Sequence, residues 1–522
     1  MSGKALLRTA FALALGILVA GRVSAQMLHV KVAQGELAGK TEGSVAAYLG
    51  IPFAAPPVGE NRWRPPEKPA SWKGERKADR FSASCRQAVS PNGFGPWSAE
   101  YVISNEASED CLYLNVWTAA KTAGEKLPVL VWIYGGGFNS GGTSVVIYNG
   151  ARLASKGIIV VSLNYRVGAY GFLAHPELTA ESPSRASGNY GLLDMVAGLR
   201  WVHDNIASFG GDPARVTISG QSAGAASVHH LISSPLAKGL FNQAIAQSGS
   251  GMGLAVPDRA AAETLGKAVA NTGGTPRTLA QLRKLSAAEL DALVGNPGMR
   301  FGPIVDGLFY PNAATVGANT NDTPILTGMT ANEMTGLNPN YGHFTVASFN
   351  AQLNSVYGKY AKEFAVLYPA ADDRQAWISA DALARERALA SMYFWARDRL
   401  AHTKHPIYAY LWTHIEPGPD SARYLAFHSS EVPYVFDTLD TAKRPFTDVD
   451  RRLAGQLGTY WVSFVKTGDP NGGGQPRWPQ LTTADKQILE IGDSTRTRVV
   501  LDPDRLALFD LYTKAGGQVG LF

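Results

Sequence analysis

The residues best suited to chemistry are Gly220-Gln221-Ser222-Ala223-Gly224, which fit the pattern G-x-S-x-G. A β-rich run, Val216-Thr217-Ile218-Ser219, stops at Gly220, and a helical run starts after Ser222. That context turns a common pattern into a strand-to-helix elbow. So tight a turn forces strained dihedrals on the serine, and small neighbours let the backbone pass without a clash. The turn lifts the Ser222 hydroxyl out at the carboxyl edge of a sheet. It also places the Ala223 N–H at a helix start, where donors are unsatisfied and the dipole favours an anion. The chemistry implied is attack of a serine hydroxyl on a carbonyl carbon. The plain alternative is an ordinary Ser/Gly turn.

A second element fits the first. Gly135-Gly136-Gly137-Phe138 follows directly after the apolar run Leu127 to Tyr134. Glycines there let backbone N–H groups face a reacting oxygen with no side chain in the way. Gly136 and Gly137 would join Ala223 as an oxyanion hole, and each such donor is typically worth about 10²–10³ in rate. A flexible turn is the alternative. The spacing G-x-G-x-x-G of a dinucleotide loop is absent.

These groups need a sheet to hold them. Leu127 to Tyr134 and Gly157 to Tyr165 are continuous apolar runs of strand length, as strands buried on both faces are. Leu192, Val196, Leu199, Val202 and Ile206 recur at helical spacing, which predicts a helix over 190–207. Strands over 213–219 and 243–247 flank a helix over 223–232. Strand, helix, strand, helix, strand implies a parallel sheet covered by helices, an α/β fold. Residues 257–295 read as helical and as a cap over the sheet. The segments 325–329 and 407–412 read as later strands, with a helix over 379–401 between them. With no repeat and no linker, residues 26–522 read as one catalytic domain with helical insertions.

The chain of 522 residues is 45% hydrophobic and 17% charged, ordinary for a globular enzyme. Lys4 and Arg8, the apolar run Thr9 to Ala20 and the small residues Val23-Ser24-Ala25 read as a signal peptide over 1–25, with a mature start near Gln26. An uncleaved anchor is the alternative; a stable membrane span is not expected. Three of the charges behind the formal +5 belong to Lys4, Arg8 and Arg22, and the other basic residues are scattered, so no nucleic-acid partner is expected. Export would make the protein secreted or periplasmic. The two cysteines, Cys85 and Cys111, suit one bridge, worth about 3 kcal/mol on the chain-entropy model, or two buried thiols. No metal-ligand spacing is present, so no metal or organic cofactor is expected.

With these motifs in place, the sequence resembles the type-B carboxylesterase and cholinesterase-like family of α/β-hydrolases. The resemblance rests on Glu109 to Trp117 (EDCLYLNVW), WIYGGGF (132–138), NYRVGAYGFL (164–173), GNYGLLD (188–194) and Phe209 to Ala225. It runs from about residue 29 to 500. It implies a Cys85–Cys111 bridge and an α/β-hydrolase fold with insertions capping the active site. In that fold the triad runs serine, acid, histidine along the chain. The segment Gly328 to Glu333 resembles the family's acid segment and implies Glu333; Asp306, in Pro303 to Gly307, is the rival. Ala426 to Phe436 resembles the family's histidine segment and implies His428 among ten histidines. His414, nearer the preceding strand, is the rival. The chain departs from the family at Met195, where a polar residue is usual, and at Gln221, where cholinesterases usually carry Glu. The latter points away from choline esters.

The expected function is hydrolysis of a small-molecule carboxylic ester. His428 would take the Ser222 proton, Glu333 would orient the imidazole, and water would release the acyl-enzyme. A non-catalytic binding module, or a hydrolase of an amide, carbamate or thioester, are the alternative readings. Phe94, Trp97, Tyr101, Phe138 and Tyr341 are candidates to line a gorge above Ser222, or core packing. Natural substrate and oligomeric state are left open by the sequence.

Overall fold

The computed structural model describes residues 26–251, 256–295, 298–338 and 341–520. The expected signal peptide over 1–25 lies outside the described residues. An eleven-stranded sheet forms the centre. Its strands, in chain order, are β1 (Lys40–Glu42), β2 (Val45–Pro52), β3 (Tyr113–Thr118), β4 (Leu127–Ile133), β5 (Ile159–Leu163) and β6 (Gly211–Gln221). Then come β7 (Gln243–Gln247), β8 (Ile325–Thr330), β9 (Ile407–Trp412), β10 (Gln487–Ile491) and β11 (Arg496–Val499). Across the sheet the order is β1-β2-β3-β5-β4-β6-β7-β8-β9-β10-β11.

Every pair from β5 to β10 is parallel, and the outer pairs are antiparallel. The parallel block carries the apolar runs. β5, β8 and β9 are buried at every position, because helices cover both faces. Among those covering helices are α1 (Tyr190–Asn205), α2 (Ala223–Ser233) and α3 (Asp373–Leu400). The fold is therefore an α/β-hydrolase with a large, mostly parallel sheet, as the sequence implied. Two elements outgrow their apolar patterns. β6 begins two residues before Pro213, and α3 starts six residues before 379, capped by Asp372, whose side chain accepts from the Gln375 amide. The expected helical stretch over 257–295 is three short helices, Arg259–Ala270, Leu279–Lys284 and Ala287–Val294.

Register makes one edge of the sheet special. Ile133 pairs with Gly220, Gln221 with Gln247, Gln247 with Gly328, and Thr330 with Trp412. The carboxyl ends of β4, β6, β7, β8 and β9 are thus level, and the five chains leave the sheet on the same side. In an open parallel sheet this is where ligands bind.

Two buried ion pairs fix the surrounding loops. Arg166 donates to Asp194 through its Nε (2.8 Å) and Nη2 (2.7 Å), which ties the loop after β5 to α1. Arg62 reaches Glu109 through Nε (2.7 Å) and Nη2 (2.6 Å). Cys85 and Cys111 are joined as a disulfide.

Candidate active site

Ser222 is the residue between β6 and α2. Its φ of 59° and ψ of −126° are strained for a non-glycine residue. The surroundings over-determine that conformation. The Ser222 N–H donates to the Gln247 carbonyl on β7 (2.9 Å), and the Ser222 carbonyl accepts from the Ala226 amide (2.9 Å). A Cβ at Gly224 would lie 2.0 Å from the Ile133 carbonyl oxygen, and one at Gly135 would lie 2.9 Å from Ser222 Cβ. These glycines are required because the end of β4 packs directly on the elbow. The serine is half-buried and faces a cavity of about 460 Å³.

The glycine loop after β4 borders the same cavity. Gly136 (φ 117°) and Gly137 (φ 61°) are exposed between buried Gly135 and buried Phe138. The Gly136 carbonyl accepts from the Asn139 (3.0 Å) and Ser140 (3.1 Å) amides, which holds the loop in its turn. Among the described residues, the amides of Gly136, Gly137 and Ala223 take part in no turn or loop hydrogen bond. Three backbone donors beside a serine hydroxyl can stabilise an anion that forms there.

Glu333 follows β8 and His428 follows β9, and both are buried. Neighbouring backbone holds their loops together. The Asn332 amide donates to the Ala426 carbonyl (3.1 Å), and the Ala426 amide donates to Asn332 Oδ1 (3.2 Å). Glu333 Oε2 meets His428 Nδ1, while Oε1 accepts from Ser248 Oγ (2.7 Å) and the Thr330 amide (2.8 Å). His428 Nε2 borders the cavity and lies 3.0 Å from Gln221 Nε2. An amide nitrogen can only donate, so Nε2 is the acceptor and the ring proton is on Nδ1. That is the tautomer a proton-accepting imidazole requires.

The electrostatics agree. Burial alone raises the Glu333 carboxyl pKa, but the charge of His428 and hydrogen bonds from His428, Ser248 and Thr330 outweigh it and hold the group below its usual range. Burial alone lowers the His428 pKa, yet the charges of Glu333 and Glu431 and the Glu333 hydrogen bond raise it above its usual value. Glu431 is fully buried, which together with Glu333 pushes it up to about 7. It accepts from Gln247 Nε2 (3.0 Å).

The rival acid and base are placed elsewhere. Asp306 Oδ1 accepts from the Leu308 (3.1 Å) and Tyr310 (3.0 Å) amides and so shapes its own loop. His414 is held between Asp450 and Asp493. Of the aromatic candidates, Phe94, Trp97, Tyr101 and Phe138 line the cavity. Tyr341 is not among the lining residues; it is buried, with its hydroxyl on Asp381 Oδ1 (2.9 Å). Sequence reasoning missed Ser248, which steadies Glu333, and gave Trp97 a lining or packing role alone, whereas its Nε1 also donates to the His428 carbonyl (3.1 Å). A polar residue just past the carboxyl end of a buried strand was the available signal for Ser248.

The sequence matches the model of the carboxylesterase family over residues 26–508. It is 38% identical to the fumonisin B1 esterase of Sphingopyxis macrogoltabida over 465 residues, covering 84% of this chain and 82% of that protein. It is 34% identical to the para-nitrobenzyl esterase of Bacillus subtilis over 456 residues, covering 84% and 89%. With a human cocaine esterase it shares 33% identity over 504 residues, covering 90% and 86%.

Proposed function

The chain belongs to the carboxylesterase family and hydrolyses carboxylic esters, and from that premise we propose that it does so through an acyl-enzyme on Ser222. The observation that carries this reading is the buried contact of His428 Nδ1 with Glu333, which leaves Nε2 toward the cavity that Ser222 borders. His428 takes the hydroxyl proton as Ser222 attacks the ester carbonyl. Glu333 orients the ring and stabilises the imidazolium. The amides of Gly136, Gly137 and Ala223 meet the charge that develops on the carbonyl oxygen. His428 returns the proton to the departing alcohol. It then activates a water that releases the acid and regenerates Ser222.

The reading extends to the whole molecule. Residues 26–522 form one hydrolase domain, and residues 1–25 are a signal peptide cleaved after Ala25 that delivers it outside the cytoplasm. The Cys85–Cys111 disulfide suits an oxidising compartment. N-terminal sequencing of the exported protein tests the leader, and a start other than Gln26 would count against it.

The central test is Ser222→Ala. Ester turnover by the folded variant should fall by about 10⁴–10⁶. Wild-type enzyme mixed with a chromogenic ester should release a stoichiometric burst of alcohol wherever deacylation is slower than acylation. Undiminished turnover in Ser222→Ala would overturn the mechanism.

A further inference from the structure

The cavity above Ser222 has an uneven charge distribution. Among the described residues, no aspartate or glutamate lines it, and Arg300 is the one arginine or lysine that does. Arg300 is exposed, and it is in no ion pair among the described residues. Other arginines nearby are neutralised: Arg86 by Asp291, Arg283 by Glu181 and Arg444 by Glu100 and Glu416. The position of Arg300 is built into the fold. Met299 and Phe301 on either side of it pack against the core, which turns residue 300 outward. Gly302, two residues on, would place a Cβ 3.9 Å from Phe138 Cδ2, so this segment borders the wall beside the glycine loop.

The carboxylates behind the cavity wall are held by buried partners: Glu333 by His428, Ser248 and the Thr330 amide, Glu416 by Arg444 and Tyr101, and Glu431 by Gln247. Beside the nucleophile stands Gln221, a neutral amide. An uncompensated guanidinium in a cleft with apolar walls attracts anions more strongly than it would in open solvent. Its planar fork of donors also matches a carboxylate in two parallel hydrogen bonds.

Building on the esterase reading, we propose that Arg300 is a specificity-determining residue that selects esters bearing a free carboxylate on their acid or alcohol part. The guanidinium holds that carboxylate while the ester carbonyl lies over Ser222. The preferred substrates are then half-esters of dicarboxylic acids or esters of hydroxy acids, and neutral esters of similar size are poorer.

The test uses matched pairs followed by pH-stat titration. Monoethyl glutarate against ethyl valerate places the charge on the acid side. The acetate ester of hydroxypropionate against propyl acetate places it on the alcohol side. The readout is the ratio of kcat/KM, charged over neutral, within each pair. In at least one pair, Arg300→Gln should lower this ratio about tenfold, as expected for one charge-assisted contact. Arg300→Lys should keep part of the preference, Arg300→Glu should reduce it further than Arg300→Gln, and added salt should weaken it in the wild type. Ratios equal in wild type and Arg300→Gln for both pairs would overturn the inference. Failure of the wild type to cleave any of the four esters would instead strike the acyl-enzyme reading beneath it.

Discussion

Two histidines lie beyond the end of β9, each against carboxylates, and only one of them borders the cavity. His414 follows the strand almost directly and is gripped at both nitrogens, by Asp493 at Nδ1 (2.5 Å) and by Asp450 at Nε2 (2.9 Å). Asp450 in turn accepts from Tyr434 (2.6 Å) and the Thr447 amide (2.7 Å), which pins the ring to the start of the helix over Asp448–Thr467. His428 is gripped by Glu333 at Nδ1, and its Nε2 faces Gln221 and the cavity. The lesson concerns the second nitrogen. An imidazole with a carboxylate against each nitrogen presents neither of them to a nucleophile. One whose Nε2 faces a cavity can take a proton from a group placed there.

The sharpest way to break this contrast is to remove the base. His428→Ala should reduce kcat by about 10⁴–10⁶ while the protein stays folded, a loss like that of Ser222→Ala because the two act as a unit. Single-turnover kinetics with a chromogenic ester reads it. If His428→Ala retained wild-type turnover, the two histidines would have to be reassigned.

A smaller effect is expected at the acid. Glu333→Gln should lower kcat by about 10⁴, as loss of the orienting carboxylate does in other triads. It should also move the acid limb of kcat/KM. The neutral imidazole is the active base, so activity rises with pH through the His428 pKa. Glu333 helps raise that pKa, so its removal shifts the limb to lower pH. A limb that stayed in place would show that Glu333 does not act on His428.

The mildest prediction sharpens the other side of the comparison. Asp450→Asn should cost about 1–3 kcal/mol of stability near neutral pH, because buried partners lose a charged acceptor. Turnover per folded molecule should remain within about twofold of wild type, since kinetic effects follow contacts made at the reacting centre. Burial alone raises the Asp450 pKa, but hydrogen bonds from Tyr434, Thr447 and His414 outweigh it and hold the group down at about 2. A lowered folded-state pKa contributes stability above the unfolded value of 3.8 that is lost as pH falls toward 2. Denaturant melts should therefore show the gap between wild type and Asp450→Asn closing across that range. A large loss of turnover in folded Asp450→Asn would blur the distinction between the two histidines.

Some of this was written in the chain at short range. The apolar runs of β4 and β5 read as strands buried on two faces, and those of β8 and β9 as later strands of the same sheet. The glycines around Ser222 announced a tight elbow because the spacing rule there is local: a Cβ at 220 would lie 2.4 Å from the Gly224 carbonyl four residues on. The loop Gly135-Gly136-Gly137 was legible for the same reason. The acid and base were not legible from spacing, since Asp306 and His414 suited their roles as well as Glu333 and His428 did, and only likeness to a family separated them.

Tertiary structure decided the rest. It set the register that levels the strand ends, and it paired Asn332 with Ala426 so that Glu333 meets His428 across 95 positions of chain. It placed Tyr341 in a packed wall on Asp381 and Arg300 in the cavity lining, although nothing in their flanking residues distinguishes the two outcomes. A sequence specifies local geometry through sterics between neighbours a few residues apart. Which distant side chains share a nitrogen or a cavity depends on how whole elements pack, and that information is spread over the entire fold.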